Sequence, residues 1–193
     1  MANIATTTYH VTGTREAVNN LWSVLQDMQV NDHDLHLADL ARRFGIDCEN
    51  KQISTRGHIY WADFEEGEQQ DVLQFETESA WDACNQLFIE INHVLKDALF
   101  ISWRVCEPCM DIFYTHDEGD VFPEECCVTS HGGPFEDVSN QVFGTVDEAI
   151  QEWISKMGIE QGSRSQDEML AYINNFEYDN EDTCFLINRF IFE

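Results

Sequence analysis

Apolar residues recur along this chain at two spacings, and the switches between them mark its elements. Thr6-Thr-Thr-Tyr-His-Val-Thr12 is β-branched and aromatic and stops at Gly13, which predicts a first strand. Thr14 then caps a helix in which Ala17, Leu21, Trp22, Val24, Leu25 and Met28 fall at helical spacing. After a break near Asn31-Asp-His33, a second amphipathic piece with Leu37 and Leu40 runs from Leu35 to Phe44 and ends at Gly45. His58 to Phe64 reads as a strand, Glu65-Glu-Gly-Glu68 as an acidic turn, and Asp71 to Glu78 as the returning partner of a hairpin. Side chains alternate along a strand, so Leu73, Phe75 and Thr77 share one face and Gln74, Glu76 and Glu78 the other.

A helix is predicted from Ser79, carrying Trp81, Cys84, Leu87, Phe88, Ile91 and Leu95, followed by a strand in which Leu99, Ile101, Trp103 and Val105 alternate. Beyond the Glu107-Pro108 turn, Ile112 and Tyr114 point inward and Asp111 and Asp117 outward on a fifth strand, with a sixth near Cys126 to Ser130. This order predicts an α+β fold, a ferredoxin-like βαββαβ sandwich with extra strands, over residues 1–131. Residues 132–193 are expected to form a C-terminal helical appendage. Thr145-Val-Asp-Glu148 and Ser165-Gln-Asp-Glu168 are capping boxes opening two helices, one with Ala149, Ile150, Trp153 and Ile154 and one with Met169, Leu170 and Ile173. Gly158 ends the first, Gly162 to Ser165 links them, and Thr183 to Phe192 is read as a terminal strand.

Short motifs carry a resemblance. The opening Met1-Ala-Asn3 with Val11-Thr-Gly13, the Thr77-Glu-Ser-Ala-Trp81 segment, the Glu107-Pro108 turn and Phe122-Pro-Glu124 resemble the YubB-type ferredoxin-like domain of plasmid and phage proteins, over roughly residues 1–130. Cys109 stands where that family usually has glycine. The resemblance implies the fold and a home on mobile elements; it brings no catalytic residues.

Charge is the most unusual property of the composition. The chain holds 37 Asp and Glu against 10 Lys and Arg, a formal charge of -27, yet its 43% hydrophobic and 12% aromatic content suffices for a core. Residues 1–60 carry seven carboxylates against Arg15, Arg42, Arg43, Lys51 and Arg56, so the other thirty carboxylates, against five bases, fall in the later two thirds. A uniform adaptation for solubility would have acidified both parts alike, and it needs an excess of only about 2–8 charges. No apolar run reaches the roughly 18 residues of a membrane span, and the start lacks the basic and apolar parts of a signal peptide, so the expectation is a cytoplasmic protein of a bacterial host with no membrane contact. Seven cysteines are then expected as reduced thiols. Cys106, Cys109, Cys126 and Cys127 with His116 and His131 have part of a zinc spacing, but the second half of the motif is missing, so no metal and no cofactor is expected.

Enzyme signatures are absent: there is no P-loop, G-x-G-x-x-G, G-x-S-x-G or H-E-x-x-H, and the expectation is a protein that is not an enzyme. Oxygen-rich Asp117-Glu-Gly-Asp120 and Asp179-Asn-Glu-Asp182 lack the register of an EF-hand loop. The carboxylates themselves are the candidate chemistry. On one strand face they stand about 6.6 Å apart at i and i+2, close to the ~7 Å between phosphates on one DNA strand. Two such charges repel by about 0.6 kcal/mol in unscreened water, so a dense row costs stability. The candidate partner-binding residues are Asp63, Glu65, Glu66, Glu68, Asp71, Glu76 and Glu78 in the hairpin, Asp117, Glu118, Asp120, Glu124 and Glu125 in a loop, and Glu177, Asp179, Glu181 and Asp182. An anionic sheet face disfavours direct nucleic-acid binding. The expected partner is a basic nucleic-acid-binding protein. The functional expectation is therefore a nucleic-acid-mimicking inhibitor of a host defence nuclease, anti-CRISPR or anti-restriction; the alternative is an immunity or antitoxin protein specific to one basic toxin.

Overall fold

The computed structural model describes residues 3–31 and 35–193. The opening Met1-Ala2 and the Asp32-His33 part of the predicted break lie outside the described residues. The chain is mixed α+β and divides into two compact units, residues 1–121 with 193 and residues 122–192.

The first unit begins with β1 (Ile4–Gly13), α1 (Arg15–Asn31), β2 (Leu35–His36), α2 (Leu37–Arg43) and α3 (Cys48–Lys51). It continues with β3 (Gly57–Glu65), β4 (Val72–Ala80), α4 (Asn85–Val94), β5 (Leu99–Glu107) and β6 (Ile112–His116). Its strands lie in the order β6-β5-β1-β4-β3-β2, and the pairs from β6 through β2 are antiparallel. β1 is central: Tyr9 stands opposite Phe75 of β4 and Trp103 of β5. The rings of Tyr9, Phe75 and Phe88 of α4 lie 4.5–4.9 Å apart by centroid, and Leu21, Leu25 and Met28 of α1 close the same core. Tyr9 stays fully buried because its hydroxyl donates to Asn85 Oδ1 at 2.6 Å. Gly13 ends β1 at φ 140°, and a Cβ there would stand 2.2 Å from the Ala98 carbonyl oxygen, so the β1–β5 approach requires glycine.

One boundary differs from expectation. The predicted helix from Ser79 begins only at Asn85, because Ser79 and Ala80 continue β4 opposite Ala5 and Ile4. The Ser79 hydroxyl, instead of capping a helix, donates to the Asp82 carbonyl at 2.8 Å. Trp81 then turns the chain at φ 77° and is exposed rather than part of the helix stripe. Beyond β5, Pro108–Met110 form a one-turn 3-10 helix, and Asp111 rather than residue 109 takes the left-handed position.

The second unit starts at Phe122, earlier than the expected boundary after residue 131, and it has its own core. The strand expected near Cys126 to Ser130, β7 (Cys126–His131), is the middle of a separate three-stranded sheet, between β8 (Val138–Phe143) and β9 (Cys184–Arg189). β8 escaped the sequence pattern because its middle is polar and exposed, with Asn140 at φ 51° and a register shift opposite it. Both capping boxes form, opening α5 (Val146–Met157) and α6 (Gln166–Asn174). Trp153 of α5 is fully buried among Tyr172, Phe176 and Tyr178 and donates its indole N–H to the Tyr178 hydroxyl at 2.8 Å.

Phe75→Ala is expected to lower the unfolding free energy by about 3–5 kcal/mol, as deletion of a buried aromatic ring does, measured by urea denaturation. A loss below ~1 kcal/mol would show that the Tyr9–Phe75–Phe88 contact is not the anchor of the first unit.

Candidate acidic interface

The β3–β4 hairpin sorts its side chains by pleat. Leu73, Phe75 and Thr77 are buried toward the helices, and Gln74, Glu76 and Glu78 lie on the other face. In register, Asp63 stands opposite Gln74 and Glu65 opposite Val72, so these two acids share the face of Glu76 and Glu78. Glu66 and Glu68 are exposed in the turn that follows. The structure thus brings six of the predicted carboxylates, Asp63, Glu65, Glu66, Glu68, Glu76 and Glu78, onto one hairpin.

Two features of this face were not anticipated. A register shift between Ile59 and Trp61 leaves Tyr60 and Trp61 both exposed, and Phe100 on β5 is exposed as well. Glu76 is also held internally: it accepts hydrogen bonds from Thr8 Oγ1 at 3.0 Å and from the Tyr60 hydroxyl. Burial, and then this bond to a carboxylate, push the Tyr60 phenol well above its ordinary range. Glu78 has His58 at 3.8 Å, an ion pair only when the histidine is protonated.

Asp71 departs from expectation. Only 1% of its side chain is exposed, so it offers no charge to a partner. Its Oδ2 accepts from Asn19 Nδ2 at 2.7 Å, and its Oδ1 faces the Arg15 guanidinium at 3.4 Å, an ion pair without a hydrogen bond of good geometry. Arg15 also donates to the Gly67 carbonyl at 2.7 Å, so α1 grips the acidic turn through these two residues.

Asp117 and Glu118 are likewise employed within the chain. Asp117 accepts from Ser102 Oγ, Gly119 N and Val121 N at 3.1–3.2 Å, and Glu118 accepts from the Ile101 backbone N–H at 3.1 Å, which shapes the loop. Asp120 projects from that loop, exposed at φ 51°. In the second unit Glu124, Glu177, Asp179, Glu181 and Asp182 are exposed. Glu125 is half-buried and with Glu124 lines a cavity of about 410 Å3 that also includes Asp147, Gln166 and Arg189. Among the described residues Arg42, Arg43, Lys51, Lys156 and Arg189 pair with Asp39, Asp27, Glu90, Glu152 and Asp167, none of them a predicted site residue, while Arg15 pairs with Asp71.

Of the cysteines, Cys106 is half-buried, Cys109 exposed, and Cys126 and Cys127 buried, while His116 stacks on Trp103 at 4.2 Å. Among the described residues no three His, Cys, Asp or Glu side chains are gathered as a metal site would require, and no helix is long and apolar enough to cross a membrane. A second polar cluster, around Glu107 on the helix side of the sheet, was not singled out from the sequence; the only signal for it was an acid at a position that alternates with Trp103 and Val105. No family model matches the chain, and no curated protein or solved structure does either.

Replacing Asp71 by Ala is expected to cost about 1–3 kcal/mol in denaturant unfolding, through loss of a buried charge-assisted bond, whereas Glu68→Ala leaves stability within ~0.5 kcal/mol. Equal effects would refute the division between anchoring and displayed acids. In an absorbance titration of tyrosinate, Glu76→Gln should bring the Tyr60 transition down toward the ordinary phenol range, though not fully, since burial is the larger cause. The sign follows: a raised folded-state value gives stability that is complete below the ordinary phenol pKa and lost as pH rises through the folded one. An unmoved transition in that variant would show that Glu76 does not act on Tyr60.

Proposed function

We propose that this chain is an acidic protein of a mobile element that imitates nucleic acid and occupies the basic groove of a host defence nuclease, a restriction complex or a CRISPR effector, in the bacterial cytoplasm. One observation carries the reading: Asp63, Glu65, Glu66 and Glu68 are exposed along one hairpin, and none has a Lys or Arg partner among the described residues. Strand spacing holds Asp63 and Glu65 about 6.6 Å apart, near the phosphate interval, on a strand paired with β4. Lys and Arg that normally neutralise phosphates would meet them, blocking the groove without turnover, and association would be fast and salt-sensitive.

The element order β1-α1-β3-β4-α4-β5 with strands arranged β5-β1-β4-β3 supports reading the first unit as a ferredoxin-like βαββαβ sandwich. The second unit is then an addition to it. The YubB-type resemblance of the opening, Thr77–Trp81 and Glu107-Pro108 motifs supports the mobile-element origin.

A second reading, neutralisation of one cognate basic toxin, is favoured by the exposed Tyr60 and Trp61 beside the carboxylates, since aromatic anchors are what specific protein interfaces use. Competition separates the two. Against purified restriction and CRISPR effector complexes, the chain is expected to inhibit DNA binding competitively and to lose affinity by about tenfold or more on going from low to moderate salt. The Asp63→Asn, Glu65→Gln, Glu66→Gln, Glu68→Gln variant should lose inhibition while keeping its unfolding midpoint. Inhibition that excess duplex DNA does not relieve, or that the fourfold variant retains, would overturn mimicry.

A further inference from the structure

Glu107 closes β5 with 0% exposure, and neither of its carboxylate oxygens has a hydrogen-bond partner among the described residues. It is not alone. Thr7 and Thr77 stand directly opposite each other on β1 and β4, both fully buried, and both hydroxyl oxygens are unpartnered. The two hydroxyls lie beside the Tyr9 phenol without closing a bond of good geometry. Alternation puts Glu107 on the helix side of the sheet with Val105, and Val105 stands between Thr7 of β1 and Tyr114 of β6. Glu107 is therefore the diagonal neighbour of both, about 7–8 Å away.

Asn85, in the first turn of α4, ties the phenols on this side together: it accepts from the Tyr9 hydroxyl at 2.6 Å and donates to the Tyr114 hydroxyl at 2.9 Å. Trp81, held at φ 77° just before α4, marks a strained backbone at the same end of β4. Bulky residues rarely adopt that conformation, and strain of this kind concentrates at binding sites.

We propose that this row binds a protonated amine or guanidinium group, with Glu107 as its charged anchor and Thr7 and Thr77 as accepting hydroxyls. A buried carboxylate without donors costs several kcal/mol, and a cation rich in N–H groups supplies donors to both oxygens at once. The chain's formal charge of -27 draws cations toward it. An anion is repelled by Glu107. A hard divalent metal takes six or more oxygens, usually from several carboxylates, and this row has one. The site lies on the opposite side of the sheet from the hairpin acids, so it stands whether or not the mimicry reading does.

The cation has two sources, a free small molecule or an Arg or Lys side chain of a partner, and two probes separate them. The full chain, labelled for NMR, is titrated with methylguanidine and with an uncharged-flank Gly-Arg-Gly peptide amide. The expected result is saturable movement of the Thr7, Thr77 and Tyr114 resonances with at least one probe, weakened about tenfold or more in Glu107→Gln. Glu16→Gln, at an exposed acid of α1 outside both sites, should bind as the parent does. Tighter binding of methylguanidine points to a small-molecule ligand, and tighter binding of the peptide to a partner's side chain. Thr77→Val, which keeps shape without the hydroxyl, should weaken binding several-fold and keeps the test decisive if Glu107→Gln folds poorly. Absence of saturable movement with both probes, or equal affinity in Glu107→Gln and Thr77→Val, would overturn the proposal.

Discussion

Packing of Tyr9, Phe75 and Phe88 against one another is the interaction on which the rest of the first unit depends. Strand side chains alternate, so fixing Tyr9 and Phe75 toward the helices also fixes which residues of β1, β4 and β3 face away. A slip of one residue would bury Glu76 and Glu78 and expose Phe75, which is costly on both counts. The apolar contact thereby sets where the charge goes. The Arg15 and Asn19 grip on Asp71 then ties the acidic turn to α1, holding the charged edge to the core.

The carboxylates consequently fall into kinds that composition does not separate. Some build the fold: Asp71 is buried, Asp117 organises a loop, Glu118 caps a strand N–H, and Glu148 and Glu168 close capping boxes. The Ser165 backbone N–H holds the Glu168 carboxyl below the usual range, so that acid gains from folding instead of opposing it. Asp63, Glu65, Glu66 and Glu68 have no such role, and their mutual repulsion remains. The acidic surface is displayed by a scaffold that also uses acids as structural parts.

Two faces of one sheet thus hold two kinds of chemistry. The outer face carries charge and exposed aromatic rings, where salt screens every ionic contact. The helix side holds a carboxylate, hydroxyls and phenols out of contact with bulk solvent, where an ionic contact would be screened much less.

Local pattern alone was enough for much of this. The alternation of Leu73, Phe75 and Thr77, the helical stripe of α1 and both capping boxes are short-range features, and the structure forms them where the residues place them. The anionic hairpin was legible for the same reason, because pleat and charge are both local. Pairing partners are not. Ser79 reads as a helix cap until β1 extends far enough to hold it in β4, and Cys126 to Ser130 reads as another strand of the first sheet until β8 and β9 claim it. Asp71 and Glu107 look like any other acids in the sequence; only residues distant along the chain, Arg15 and Asn19 for one and the packed sheet for the other, remove them from water. Burial is a property of the assembled unit, and so tertiary structure decided which charges are displayed and which are enclosed.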